Sequence, residues 1–255
     1  MTSASISPTL KAHLKRLKLS PMLQTLPERL TLARQQKTPH ESFLELVLAD
    51  EVMRRDRLEA KNRAAKGGLD PSMVVEAWDG TAQVTYDKSL WAELTTLRFL
   101  EAHHDVLLLG PVGVGKTFLG TALGHIACRR GCRVRFVQTD KMLKLLKASR
   151  LDQTYEATLR QLITVDLLIL DDFALDPMDA IETRDLGELL REKHRRTSLI
   201  VTSNRDPGEW LAMMAEPLRA QSAIDRLKNN AYELIIEGES YRDRQKPKWP
   251  PGQTT

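Results

Sequence analysis

The run Gly110-Pro111-Val112-Gly113-Val114-Gly115-Lys116-Thr117 has the spacing G-x-x-x-x-G-K-[ST] in full. Glycines at these places let successive backbone N–H groups close around phosphate oxygens, and a helix opening at the lysine adds the positive end of its dipole. Lys116 is long enough to reach the β- and γ-phosphates of a nucleoside triphosphate, and the Thr117 hydroxyl suits a magnesium ion. A short apolar run precedes these residues and an apolar helix follows. That context separates them from a glycine turn that merely needs a positive φ. Phe118 completes the candidate nucleotide-binding stretch, and its bulk bears on local packing rather than on phosphate chemistry.

Two further strand ends carry chemistry. Leu167-Leu168-Ile169-Leu170 delivers Asp171-Asp172 at its C-terminal end, the end of a parallel strand where α/β ligands bind. Asp171 is expected in the magnesium shell, and Asp172 is expected to orient or deprotonate an attacking water. Ser198-Leu199-Ile200-Val201-Thr202-Ser203-Asn204 is a third strand that ends in polar residues. If it lies between the other two, Asn204 faces the γ-phosphate; otherwise it starts a turn before Asp206-Pro207.

These residues need a scaffold. The chain has 255 residues, 42% apolar and 28% charged, the profile of a soluble globular protein with a sizeable core. No apolar stretch approaches the ~20 residues of a membrane span. Lys11, Lys15, Arg16 and Lys18 interrupt any secretory apolar region. Cys128 and Cys132 are too few for a disulfide framework and have no companion ligands for zinc, so they read as small buried residues one turn apart on the helix after the glycine-rich loop. The expected compartment is the cytoplasm.

Charge is uneven. Residues 1–66 hold 13 Lys and Arg against 7 Asp and Glu, whereas the remainder holds 25 against 27. The basic part reads as three helices. Leu10, Leu14, Leu17 and Leu19 nearly keep a stripe on the first, broken at Ser20-Pro21. Leu23, Leu26, Leu30 and Ala33 line one from Met22 to Gln36. Thr38-Pro39 opens the third, with Phe43, Leu44, Val47 and Leu48 as its buried face. The basic tract from Arg54 closes on Gly67-Gly68, which predicts a helical domain over 1–66 and a second domain over 67–255. Residues 69–100 read as a connector, with Trp78, Trp91 and Phe99 as packing anchors.

From residue 105, apolar runs at 106–109, 134–137, 167–170, 199–201 and 234–236 alternate with helical stretches at 116–130, 140–162, 180–196 and 208–228. That alternation predicts an α/β sandwich on a parallel sheet. Trp210 and Met213-Met214 read as packing, and His103-His104 shows no ligand spacing.

The order of the three phosphate-site segments resembles the AAA+ P-loop ATPases. The whole chain resembles the IstB-type transposition helpers, relatives of the DnaC helicase loaders and the DnaA initiators. The resemblance rests also on the leading Leu-Lys-Leu helix, the basic run Arg54–Arg63, Ile224-Asp225-Arg226-Leu227 and Gly238-Glu239-Ser240-Tyr241-Arg242. It departs at Phe118, where many relatives carry a polar histidine. The resemblance implies ATP with Mg²⁺, Asn204 as first sensor, Arg226 as an arginine finger given to a neighbouring subunit, and Arg242 as second sensor. Spacing alone does not separate Arg226 from Arg219 or Arg242 as the finger, and a surface salt bridge is the alternative for each. It further implies self-association on duplex DNA, largely independent of sequence, and a transposase partner. An insertion near Asp140–Arg150 lines the DNA path in that clade, which points to Lys141, Lys144 and Lys147, with Arg54 and Arg55 as further DNA contacts; the alternative is a solvated amphipathic helix. A helicase loader would share every ATP-site residue and differ in its N-terminal partner. A nucleotide or small-molecule kinase would need a substrate lid and no neighbouring arginine.

Overall fold

The computed structural model describes residues 6–79 and 84–241 and divides into two compact units, Met1–Lys61 and Asn62–Thr255. The first is helical. Helix α1 (Pro8–Arg16) starts where the Ser7 hydroxyl accepts the Leu10 N–H at 3.2 Å. A 3-10 turn over Ser20–Gln24 follows, so α2 spans Leu26–Gln36 instead of opening at Met22. The long α3 runs His40–Lys66. Leu14, Met22, Leu26 and Val47 form a small core with Phe43 and Leu30 packed on it. Arg29 of α2 donates two hydrogen bonds to the Asp50 carboxylate of α3, at 2.7 and 3.0 Å. The expected buried stripes are only half realised. Leu44 and Leu48 stay 57% and 44% exposed, and Leu10 and Leu17 are also exposed, because so small a core takes one apolar residue per helical turn.

In the second unit the elements are β1 (Val84–Thr85), α4 (Lys88–Thr95), α5 (Arg98–Glu101), β2 (Asp105–Leu109), α6 (Lys116–Arg129), β3 (Val134–Gln138), α7 (Thr139–Ser149), α8 (Tyr155–Ile163), β4 (Leu167–Asp171), α9 (Ala180–Lys193), β5 (Ser198–Ser203), α10 (Pro217–Lys228), β6 (Ala231–Ile235) and β7 (Glu237–Gly238). Five strands form a parallel sheet in the order β3-β4-β5-β2-β6, and β1 pairs antiparallel with β7. Strands β2, β4 and β5 are buried at every residue, as continuous apolar runs covered on both faces must be. One face packs Leu143 and Leu146 of α7, Leu159 of α8, Leu186 and Leu189 of α9 and Ile224 of α10. The other packs Leu119 and Leu123 of α6 with Leu94 of α4 and Phe99 of α5. Ala64 and Leu69 join that second core, and the Gly67 carbonyl accepts the Phe136 N–H at 2.8 Å.

Three expectations change in this unit. The helix expected over 140–162 is two helices, because Asp152 accepts both the backbone N–H and the hydroxyl of Thr154 and turns the chain between them. The stretch 208–228 holds a 3-10 turn, Trp210–Met213, and only then α10. Between them the Met178 N–H donates to the Met213 carbonyl at 2.7 Å, which ties the segment down as an extended bridge. Cys132 lies past the end of α6 and is half-buried, so only Cys128 is a buried helical cysteine.

Candidate functional site: a cleft at the C-terminal ends of the central strands

Strand β5 sits between β4 and β2, with Leu170 opposite Val201 and Leu109 opposite Ser203. This order brings the C-terminal ends of the three central strands, β4, β5 and β2, together at one end of the sheet. The glycine-rich loop leaves β2 there. Gly113 and Gly115 take φ of 86° and 98°, a region that L side chains rarely adopt. A Cβ at Gly113 would stand 2.1 Å from the Ser240 Oγ, and one at Gly115 would stand 2.7 Å from the Trp78 ring. The Tyr241 N–H donates to the Gly113 carbonyl at 2.9 Å, so the chain after β7 straps the loop from outside.

Lys116 opens α6 and is buried. Its Nζ donates to the carbonyls of Gly110 and Pro111 at 2.7 and 2.6 Å. The Thr117 hydroxyl donates to Asp171 Oδ1 at 2.9 Å, and the Thr202 hydroxyl donates to the same oxygen at 2.6 Å. Burial pushes the Asp171 carboxyl above its ordinary value; the Thr202 and Thr117 hydroxyls pull it back, Asp172 pushes it up again, and Lys116 opposes that. The Thr139 hydroxyl holds the Asp171 carbonyl at 2.9 Å from α7.

A cleft of about 630 Å³ opens over these groups. Val112, Gly113, Val114, Gly115, Lys116 and Thr117 line one wall, and Asp172 and Asn204 line another. Trp78, Phe118 and Tyr241 complete it. The Trp78 and Phe118 rings are 5.2 Å apart, and Tyr86 backs Trp78 at 6.4 Å. The cleft therefore has a polar end rich in backbone N–H groups, a lysine and carboxylates, and an apolar aromatic end. That division suits a triphosphate joined to a planar base.

Among the described residues no group of three or more His, Cys, Asp or Glu side chains forms a metal cluster. The adjacent hard oxygens of Thr117 and Asp171 nonetheless fit a magnesium ion that takes its remaining ligands from phosphates and water.

The sequence-derived residues do not all meet here. Arg226 lies on α10 and lines a separate shallow depression with His194, Arg195, Asp225 and Asn229. Burial, then Arg195, then Arg226 hold the His194 imidazole below its usual value. Arg219 pairs with Glu216 at 2.9 Å. Arg242 lies outside the described residues. On α7, Lys141 is exposed, Lys144 pairs with Asp140 at 3.3 Å, and Lys147 pairs at 2.5 Å with Asp179, the capping residue of α9. Arg54 and Arg55 both bind the buried Glu51 at 2.8 Å; the Arg54 hydrogen bond, against the cost of burial and with help from Arg55, lowers that carboxyl to about 2. Sequence reasoning missed Thr202 and Thr139; Trp78, expected as a packing anchor, does pack on the second core and lines the cleft as well. The polar triplet Thr202-Ser203-Asn204 closing an apolar strand was the available signal for the first.

Comparison with known proteins follows the same lines. The sequence profile of the IstB-like ATP binding proteins matches residues 12–248. An ATP-binding protein in an insertion sequence of Mycobacterium tuberculosis is 37% identical over 249 residues, covering 97% of this chain and 98% of that one. The insertion sequence IS21 ATP-binding protein of Pseudomonas aeruginosa is 33% identical over 239 residues, with 94% and 90% covered. Among solved structures, DnaI superposes with a TM-score of 0.56 at 22% identity over 64% of this chain and 90% of its own. DnaA of Aquifex aeolicus bound to AMPPCP does so with 0.54 at 21% identity over 65% and 50%. These two likenesses bear on the fold, an AAA+ sandwich. Among the described residues no helix is long and apolar enough to cross a membrane. The profile spans almost the whole length, and the chain belongs to the IstB-like ATP-binding protein family.

Proposed function

We propose that the protein is a magnesium-dependent ATPase that assembles on duplex DNA and uses its nucleotide state to assist a transposase in choosing an insertion target. The observation that carries this reading is the convergence of the glycine-rich loop, Asp172 and Asn204 on one cleft, with the buried Asp171 carboxylate held behind it by the Thr117 hydroxyl. An ATP-binding module without hydrolysis would need the loop and a magnesium ligand such as Asp171, but not the second carboxylate, Asp172.

In the proposed reaction Lys116 exchanges the Gly110 and Pro111 carbonyls for the β- and γ-phosphates. Thr117 and Asp171 would hold magnesium, which would supply charge neutralisation at those phosphates. Asn204 orients a water. As the water oxygen bonds to the γ-phosphorus, the bond to the bridging oxygen of ADP breaks and Asp172 receives the proton. Trp78 and Phe118 cover the base. Arg226, remote from its own cleft, acts on the ATP of a neighbouring subunit, so ATP becomes the switch for assembly.

DNA contacts are proposed at Lys141, Lys144 and Lys147 and, in the first unit, at Arg54 and Arg55. Lys144, Lys147 and both arginines already have carboxylate partners, so a phosphate there competes with an existing ion pair. Lys141, exposed and with no ion pair among the described residues, contributes most per side chain. The test is the ATPase rate with and without duplex DNA, measured together with the mass of the assembly. Faster turnover and ATP-dependent assembly on DNA support the reading; turnover indifferent to DNA with a monomeric protein refutes it. Capture of a replicative helicase instead of a transposase would make the protein a loader.

A further inference from the structure

We infer that Thr202 is a positioning residue for hydrolysis, because its one hydroxyl holds the Asp171 carboxylate and the Asp172 backbone N–H at the same time. The inference rests on the roles proposed above for those two residues. Thr202 is the fifth residue of β5 and is 1% exposed. A hydroxyl has one proton and two lone pairs, and a backbone amide can only donate. The Asp172 N–H at 3.1 Å therefore points at a lone pair of the Thr202 oxygen, and the hydroxyl proton goes to Asp171 Oδ1 at 2.6 Å. The same Asp171 oxygen takes the Thr117 hydroxyl, so Thr202 fixes the face that the carboxylate turns to the loop.

Asp172 has a further need for this bond. Its φ is +54°, a left-handed conformation that a non-glycine residue holds only when its surroundings impose it. Thr202 imposes it twice: its hydroxyl receives the Asp172 N–H, and its carbonyl receives the Phe173 N–H at 2.8 Å. The adjacent Ser203 hydroxyl fastens the next step of the turn by donating to the Phe173 carbonyl at 2.9 Å while it accepts the Trp210 indole N–H at 3.1 Å. Asn204, two residues beyond Thr202, lines the cleft. One strand end thus carries both the group expected to orient water and the group that holds the Asp171 carboxylate and the Asp172 backbone.

The hydroxyl can be separated from the fold. Thr202→Val keeps the shape and the carbonyl that holds Phe173 but removes both hydroxyl bonds; Thr202→Ser keeps the hydroxyl. Each variant is assayed as the full chain for binding of a fluorescent ATP analogue in EDTA and across a magnesium titration, and for kcat and KM of ATP hydrolysis. Removing a group that orients a metal-binding carboxylate typically costs about 10- to 100-fold in metal affinity or activity. The valine variant is expected to bind the analogue in EDTA as the wild type does, to need at least about 10-fold more magnesium, and to lose about 10- to 100-fold in kcat with KM nearly unchanged. The serine variant is expected to restore both quantities.

A valine variant with wild-type magnesium requirement and kcat overturns the inference. So does a serine variant as impaired as valine, since the methyl packing would then be what matters. If valine fails to fold, Thr202→Ala serves as the hydroxyl-free partner in the same comparison. Wild-type protein that binds ATP but never hydrolyses it refutes the ATPase reading, and the magnesium titration still decides the role of Thr202.

Discussion

Arg226 lines a depression on α10 together with His194 and Arg195 and does not line the cleft that holds Lys116, Asp172 and Asn204. If it completes a neighbour's site, two defects in different chains must complement. Arg226→Ala leaves the glycine-rich loop intact, and Asp172→Asn leaves Arg226 intact and removes only the proton acceptor. Alone, Arg226→Ala should lose ~10³-fold or more of turnover while still binding ATP. Alone, Asp172→Asn should bind ATP and remain on DNA. In an equimolar mixture an interface works when an Arg226→Ala subunit presents its ATP to an Asp172→Asn subunit's arginine. Random head-to-tail assembly makes about one interface in four of that kind. The mixture should therefore recover about a quarter of the wild-type rate per subunit, about 250 times Arg226→Ala alone. Varying the ratio should give a symmetric curve with its maximum at equal amounts. The assay is steady-state phosphate release on saturating duplex DNA, with assembly checked by sedimentation. A flat curve at the level of the single variants, with both proteins assembling, would refute the trans role of Arg226.

Lys116→Ala should abolish tight ATP binding, measured by titration with a fluorescent analogue, because the principal cation at the phosphates is gone. DNA affinity should fall steeply with salt and vary little between unrelated duplexes; Lys141→Ala should lower the salt slope by about 1, and Lys147→Ala by less, since Asp179 already occupies it. Stability should also respond to pH through Asp105, whose carboxyl burial pushes up to about 7 against the Leu199 N–H that it accepts, Lys193 and Asn230. With the folded value above the unfolded one, stability is greatest below the ordinary carboxylate range and falls as pH rises to about 7, by at most about 4 kcal/mol. Asp105→Asn keeps an acceptor for Leu199, so urea unfolding at pH 5 and pH 8 should show a flatter profile than the wild type. Part of that gain is returned by the buried Lys193, which loses an opposite charge.

The glycine-rich loop was legible from residues 110–117 because its chemistry is local: consecutive backbone N–H groups, one lysine and one hydroxyl, all set by a strand, a turn and a helix contiguous in the chain. The three fully buried strands, β2, β4 and β5, were legible for a related reason. A strand covered on both faces has to be apolar throughout, and only a parallel sheet with crossover helices leaves such strands regularly spaced. Elements that end by side-chain hydrogen bonds were not legible. The Asp152 turn that splits α7 from α8 uses residues that are equally at home on a helix surface.

Strand order was decided only in three dimensions. Hydropathy does not say which of five similar strands are neighbours, and the insertion of β5 between β4 and β2 is what joins the Thr202 hydroxyl to Asp171 across 31 positions of sequence. Trp78, far upstream of the loop, reaches Phe118 only because the chain before β1 folds back over α6. The basic rows showed only their local partners: Glu51 stands at helical spacing from Arg54 and Arg55, whereas Asp179 meets Lys147 from 32 residues away. Asp179 and Glu51 occupy Lys147, Arg54 and Arg55, and the charge those side chains can offer to DNA is a property of the folded neighbourhood, since Coulomb attraction depends on distance in space and not on distance along the chain.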